Sequence, residues 1–158
     1  MTRVGIGSDI HRIAPGRPLV LAGVPIESET GAEGHSDADA LAHAVIDAIL
    51  GALCEGDIGA HFPDTDPKWS GFDSMQMLAR VVWLAKEKSF RVGNLDCIVS
   101  LERPKLRPHI QAMRQHLAQV LELDPCCVSI KAKSGEGLDA VGEGRAVQVQ
   151  TVVLLESY

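Results

Sequence analysis

The stretch from residue 38 to 53, Ala-Asp-Ala-Leu-Ala-His-Ala-Val-Ile-Asp-Ala-Ile-Leu-Gly-Ala-Leu, constrains this chain more than any other segment. Leu41, Val45, Ile46, Ile49, Leu50 and Leu53 leave it almost no polar surface. The helix it predicts must therefore be buried on nearly every side. Its polar exceptions, Asp39, His43 and Asp47, are spaced by four and fall on one stripe. A polar stripe on a buried helix faces a partner or a site and not open water. Asp37 is placed to cap this helix.

Around it the pattern predicts a short strand at 2–8 with Gly5 and Gly7 interleaved, a glycine density that brings backbone close to something. Residues 18–27 read as a hairpin or two short strands, and 28–37 as a polar, mobile loop. A long loop at 57–72 leads to a second helix at 73–88, with Asp73 or Ser74 at its start. A strand follows at 90–102, then a third helix beginning at Pro108 and ending near 122, where proline suits the first turn. A strand at 128–133, a Gly-rich loop at 134–144 and a strand at 146–155 complete the order.

That order predicts a single α+β (α/β) domain over 1–158, with one mixed sheet and helices packed on one face. With 46% hydrophobic and 23% charged residues the chain has the balance of a globular domain. Aromatics are only 4%, too few to cover the second sheet face, so an oligomer is expected. A net charge of −6 without a basic run argues against nucleic acid as partner. No apolar run of about 18 residues exists, which argues against a membrane span. The N-terminus has no signal-like apolar region, which points to the cytoplasm. Cys54, Cys97, Cys126 and Cys127 form no C-x-x-C, so they read as reduced thiols without a zinc role.

Several groups of residues could carry chemistry. In Asp9-Ile10-His11 the Asp and His lie on the same side of an extended backbone and can converge on one ion. His43 is the candidate third ligand; Asp39 and Asp47 could orient it from behind. Three protein ligands suited to zinc leave an open position, the pattern of a catalytic site. The same residues also admit a plainer reading, with Asp9 opening a turn and His43 a satisfied core histidine. His35-Ser36-Asp37 stands before a helix N-terminus, where free N–H groups favour an anion, or where Ser36 or Asp37 merely caps. Asp57-Ile58-Gly59 through Phe62-Pro63-Asp64-Thr65-Asp66 is rich in turn formers and holds a rare aromatic. Glu102-Arg103-Pro104-Lys105-Leu106-Arg107 is a local basic cluster. Lys131-Ala132-Lys133-Ser134-Gly135-Glu136 offers lysines, a hydroxyl and glycines suited to phosphate, with Glu136 able to hold a hard cation. Each of these is also compatible with a solvated loop. His61, His109 and His116 receive no role.

Taken together these segments resemble the 2-C-methyl-D-erythritol 2,4-cyclodiphosphate synthase family over nearly the whole chain. Asp9-Ile10-His11, His35-Ser36-Asp37-Ala38-Asp39, Asp57-Ile58-Gly59 and Phe62-Pro63-Asp64-Thr65-Asp66 carry the likeness. Gly93-Asn94-x-Asp96, Pro104-Lys105, Pro108-His109-Ile110 and Lys131-Ala132 add to it. The resemblance implies a homotrimeric phosphorus–oxygen lyase with active sites at subunit interfaces. It would convert 4-diphosphocytidyl-2-C-methyl-D-erythritol 2-phosphate to the cyclic diphosphate and CMP in the non-mevalonate isoprenoid pathway. It assigns zinc to Asp9, His11 and His43, and magnesium or manganese to Glu136. His35 and Ser134 would stabilise the transition state. Asp57 and the 62–66 loop would meet the methylerythritol part, and Ser36, Ile58 and Gly59 would also bind substrate. Leu101, Glu102, Arg103, Pro104, Lys105, Leu106 and Arg107, with Lys133 and Gly135, would meet the cytidine diphosphate end.

The chain departs from the commoner pattern at Lys133-Ser134-Gly135, where a Thr-rich run is usual, and at Ser8, Ala140 and Glu143. In some members those last positions line a trimer-axis cavity that holds an isoprenoid diphosphate, and that ligand is not carried over. Two other functions fit the same residues: a metal-dependent phosphodiesterase, and a non-catalytic trimeric protein that binds small molecules.

Overall fold

A computed structural model describes all 158 residues. Its main sheet has five strands in the order β4-β1-β7-β5-β6. They are β1 (Thr2–Pro15), β4 (Thr30–Ala32), β5 (Phe90–Ser100), β6 (Val128–Lys133) and β7 (Ala146–Ser157). The β5–β6 pair is parallel, while β1–β4, β1–β7 and β5–β7 are antiparallel, so the sheet is mixed as expected. A separate hairpin joins β2 (Leu19–Leu21) to β3 (Val24–Ile26). Three long helices, α1 (Ala40–Leu53), α3 (Ser74–Glu87) and α4 (Ile110–Leu121), cover one sheet face. Two single turns, α2 (Ile58–His61) and α5 (Asp139–Gly142), lie in segments expected to be loop.

Helix α1 is the core of the molecule, as its sequence requires. Leu41, Val45, Ile46, Ile49 and Leu50 are fully buried. It docks on β1 with almost no spacing. A Cβ added to Gly5 would lie 1.8 Å from the Ala48 carbonyl oxygen, and one on Gly7 would lie 2.0 Å from that of Ala44. The two glycines and the small residues Ala44, Ala48 and Ala52 thus let helix backbone rest on strand backbone. Strand alternation puts Gly5, Gly7, Asp9 and His11 on this same face of β1. One side of the strand therefore reads as two contact glycines followed by two polar groups.

The other sheet face is open in a single chain. Val4, Ile6, Ile10 and Val152 project from it and are 66, 75, 57 and 45% exposed. A lone globular domain rarely leaves so contiguous an apolar face uncovered.

Four local expectations need correction. β1 does not stop at residue 8; it pairs with β7 as far as Arg12 and then with β4 through Ile13–Pro15. The 28–37 segment is accordingly tied to the sheet at β4 and is not a free loop. Helix α1 begins at Ala40 and is capped by Asp39, not Asp37. The Asp39 carboxylate is fully buried and accepts from the backbone N–H groups of Ala22, Gly23 and Ala42, so it clamps the hairpin turn to the helix start. Asp37 instead turns to α3, where it accepts from the Ser74 N–H and hydroxyl.

Gly5→Ala should force α1 off β1 and cost about 3 kcal/mol or more, the upper end of overpacking penalties. Urea unfolding of that variant measures it; a loss under about 0.5 kcal/mol, ordinary for a surface change, would contradict this contact.

Candidate metal centre

Asp9 and His11 project from β1 toward the first turn of α1, which presents His43. The Asp9 Oδ2 atom lies 2.7 Å from His11 Nε2 and 3.0 Å from His43 Nδ1. The two ring nitrogens are 3.2 Å apart. Ligands held at about 2.0–2.1 Å by a tetrahedral zinc stand about 3.3 Å apart, so this triangle needs to open only slightly to accept the ion. The side chains of Asp9, His11 and His43 are 24, 15 and 12% exposed, leaving one side reachable. They form the one cluster of histidine, cysteine and carboxylate ligand atoms in the molecule that could hold a metal ion.

Each histidine is fixed from behind. His11 Nδ1 is 2.8 Å from the Glu33 carbonyl oxygen, which can only accept. His43 Nε2 is 2.8 Å from Ser74 Oγ and 3.0 Å from Ser36 Oγ. The expectation that Asp39 and Asp47 orient His43 is corrected here. Asp39 is committed to three backbone N–H groups. Asp47, one turn beyond His43, accepts from the Ile58 N–H at 2.7 Å and so anchors α2. Ser74 was legible only as a helix start; nothing in its local sequence distinguishes a histidine partner from a cap.

The electrostatics follow from burial and pairing. Burial works to raise the Asp9 carboxyl, but hydrogen bonds from His11 and His43 outweigh it and hold it well below the usual carboxylate range. Burial works to lower His11, yet the Asp9 carboxylate more than reverses this, so the imidazole keeps its proton to higher pH than usual. Asp47 is raised, first by burial and then by the neighbouring charges of Asp57 and Asp9.

Beside the triad opens a pocket of about 280 Å3, lined by His11, His35, Ser36, His43, Ile58, Gly59, Phe62, Asp64, Trp69 and Met77. Asp57 caps α2 by accepting from the Ala60 N–H at the edge of this wall. Phe62 meets Trp69 edge to face at 4.9 Å, and Trp69 meets Phe72 likewise at 5.0 Å. Three of the six Phe, Trp and Tyr residues of this aromatic-poor chain thus cluster on one side of the site. Trp69 and Met77 were not anticipated as lining residues. Pro63, Thr65 and Asp66 do not line the pocket; Asp66 caps the turn at Pro67–Trp69 and pairs with Lys68 at 2.8 Å.

The remaining candidates lie elsewhere. Leu101, Lys105, Leu106, Arg107, Ala132, Lys133 and Ser134 line a second pocket of about 190 Å3 at the ends of β5 and β6. Glu102, Arg103, Pro104 and Lys105 border a wider, open polar depression against Ser28–Thr30. Glu102 ties the two loops by accepting from the Gly135 N–H at 3.1 Å. Glu136 is exposed, with a left-handed backbone. In register Asp9 stands opposite Val149, Val149 opposite Val99, and Val99 opposite Ala132. Three strand spacings of about 4.8 Å therefore put roughly 14 Å between the triad and the 133–136 loop of the same chain. One chain does not bring the two groups into one cavity.

In the metal-free protein, protonated His11 paired with Asp9 contributes stability that is complete below pH 6.5 and is lost as pH rises through the raised folded value. A bound divalent ion requires the neutral imidazole and releases that proton. Melting curves should show metal-free stability falling, and the gain from added zinc growing, as pH rises above 6.5. A zinc effect that is constant or grows on acidification would contradict this ligand set.

Comparison with known proteins places the site in context. The model of the YgbB family matches residues 2–156. The 2-C-methyl-D-erythritol 2,4-cyclodiphosphate synthase of Solibacter usitatus is 53% identical, with 98% of this chain and 97% of that protein covered. Its namesake from Acaryochloris marina is 51% identical, with 98% and 96% covered. A solved 2C-methyl-D-erythritol-2,4-cyclodiphosphate synthase in a CDP-bound form superposes with a TM-score of 0.91 at 41% identity, covering 98% of this chain and 100% of that one. The bifunctional IspDF of Campylobacter jejuni gives a TM-score of 0.96 at 39% identity; all of this chain matches 43% of that one. With a family match over nearly its full length and relatives half identical to it, the chain belongs to the YgbB family.

Proposed function

We propose that this chain is a cyclodiphosphate synthase, an enzyme that turns 4-diphosphocytidyl-2-C-methyl-D-erythritol 2-phosphate into 2-C-methyl-D-erythritol 2,4-cyclodiphosphate and CMP. The observation that carries it is the full-length identity of about half to proteins of that name, coupled to a converging Asp9, His11 and His43. The substrate's own 2-phosphate oxygen forms the new bond to the β-phosphorus. The bond from that phosphorus to the bridging oxygen breaks, and CMP leaves with the electron pair. No protein nucleophile is needed, and the reaction is that of a phosphorus–oxygen lyase. What the protein must supply is a folded substrate and neutralised charge.

The residues divide by these tasks. Asp57, with the wall Ile58–Gly59 and the pocket-lining Phe62 and Asp64 of the 62–66 loop, holds the methylerythritol part in its ring-closing shape. His35 and Ser134 donate to phosphate oxygens as charge builds. Lys133, Gly135 and the 101–107 segment hold the cytidine diphosphate end; a solved relative in a CDP-bound form supports this ligand class. Zinc at Asp9, His11 and His43, and magnesium or manganese at Glu136, would supply Lewis-acid neutralisation of the phosphates.

The active enzyme is a homotrimer with its sites between subunits. The open apolar face of β1 and β7 favours assembly. So does the separation of the triad from the 133–136 loop within one chain, since one substrate must touch both. A cytoplasmic enzyme fits this pathway role, and no helix is long and apolar enough to cross a membrane.

Phosphorus NMR with the diphosphocytidyl substrate, zinc and magnesium tests the reading. CMP and a cyclic diphosphate should grow together; a linear phosphate would mean hydrolysis, and no change would mean mere binding. His43→Ala and Glu136→Ala should each be inactive alone, yet regain turnover when unfolded together and refolded as mixed trimers. No regain would place each site within one chain.

A further inference from the structure

The hydrogen bonds behind His43 form a directed chain that ends on Asp37. The imidazole presents Nδ1 to Asp9 and His11, and Nε2 to Ser74 Oγ at 2.8 Å. The Ser74 hydroxyl in turn donates to Asp37 Oδ1, while Asp37 Oδ2 accepts from the Ser74 N–H at 3.0 Å and Oδ1 also takes the Asp39 N–H. Ser74 is fully buried at the first turn of α3, so water does not compete for it. A carboxylate accepts and does not donate. The only proton of the Ser74 hydroxyl is therefore committed to Asp37, and toward His43 that oxygen can only accept. His43 must then carry a proton on Nε2, so a metal ion that takes the place of the hydrogen bond between Nδ1 and Asp9 meets the Nδ1 lone pair.

We propose that Ser74 and Asp37 are positioning residues that fix His43 in its metal-ready tautomer, and that metal retention by this protein depends on them. The inference rests on reading Asp9, His11 and His43 as a metal site. The relay also joins three elements. Asp37 belongs to the loop that carries His35 and Ser36 into the pocket, Ser74 opens α3, and His43 lies in α1. A partner that fixes the far nitrogen of a ligating histidine sets its ring orientation and raises its basicity, and loss of such a partner commonly weakens metal affinity 10–100-fold.

The test is zinc affinity, measured by competition with a chromogenic chelator, together with the melting temperature of the metal-free protein. Ser74→Ala should weaken zinc binding at least tenfold, and Ser74→Thr, which keeps the hydroxyl, should restore most of it. Asp37→Asn, whose amide can donate and so reverse the chain, should weaken binding in the same direction and serves if Ser74→Ala fails to fold. If Ser74 merely opens α3, Ser74→Ala would lower the melting temperature and leave zinc affinity within twofold of the parent; that result overturns the proposal. Wild-type protein that binds no zinc would instead overturn the metal site itself, whatever the variants do.

Discussion

The backbone-on-backbone contact between α1 and β1 is what the rest of this structure depends on. Helices normally stand off a sheet by the length of their side chains. Here Gly5 and Gly7 remove that spacing, and Ala44 and Ala48 remove it from the helix side. The same strand face then continues into Asp9 and His11, and the same helix face begins at His43. Two ligand-bearing elements far apart in sequence are thereby held with their ligand atoms about 3 Å apart. The metal centre is a direct extension of a packing contact.

A frame of polar groups, fully buried at Asp39 and partly buried at Asp47 and Glu33, locks this arrangement. Asp39 holds the hairpin turn against the helix start, Asp47 holds α2, and Glu33 offers its carbonyl to His11. Asp39 has its partners in a low-dielectric setting, where an unpaired group would cost about 1–3 kcal/mol. The anionic Asp9 in turn favours charge on His11, which is why a metal ion can replace a proton there.

Much of this was legible in the residues. The near-absence of polar positions in 38–53 marked the buried helix, and its four-residue polar stripe marked His43. The alternation of β1 placed Asp9 beside His11, and the paired glycines announced a close approach, although not against which element. What stayed hidden was non-local. Asp37 looks like a cap because Asp, Ser and Asn before any apolar helix look like caps; only the fold brings Ser74 to it. Asp39 and Asp47 share the His43 stripe, yet their partners are backbone N–H groups of the hairpin and α2. Strand β1 extends past its predicted end because pairing with β7 and β4, and not burial, continues it, and that pairing makes a strand of Thr30–Ala32 in a segment that reads as loop. The distance between the triad and the 133–136 loop is a consequence of strand order, which the local pattern does not encode.

Strand–helix spacing sets the metal site. Zinc affinity of Gly7→Ala, measured against Ser8→Ala on the opposite face of the same strand, tests this most directly. Gly7→Ala should lose at least tenfold in affinity as α1 and His43 are pushed away, while Ser8→Ala should bind as the parent does. A folded Gly7→Ala protein that binds zinc with unchanged affinity would contradict it.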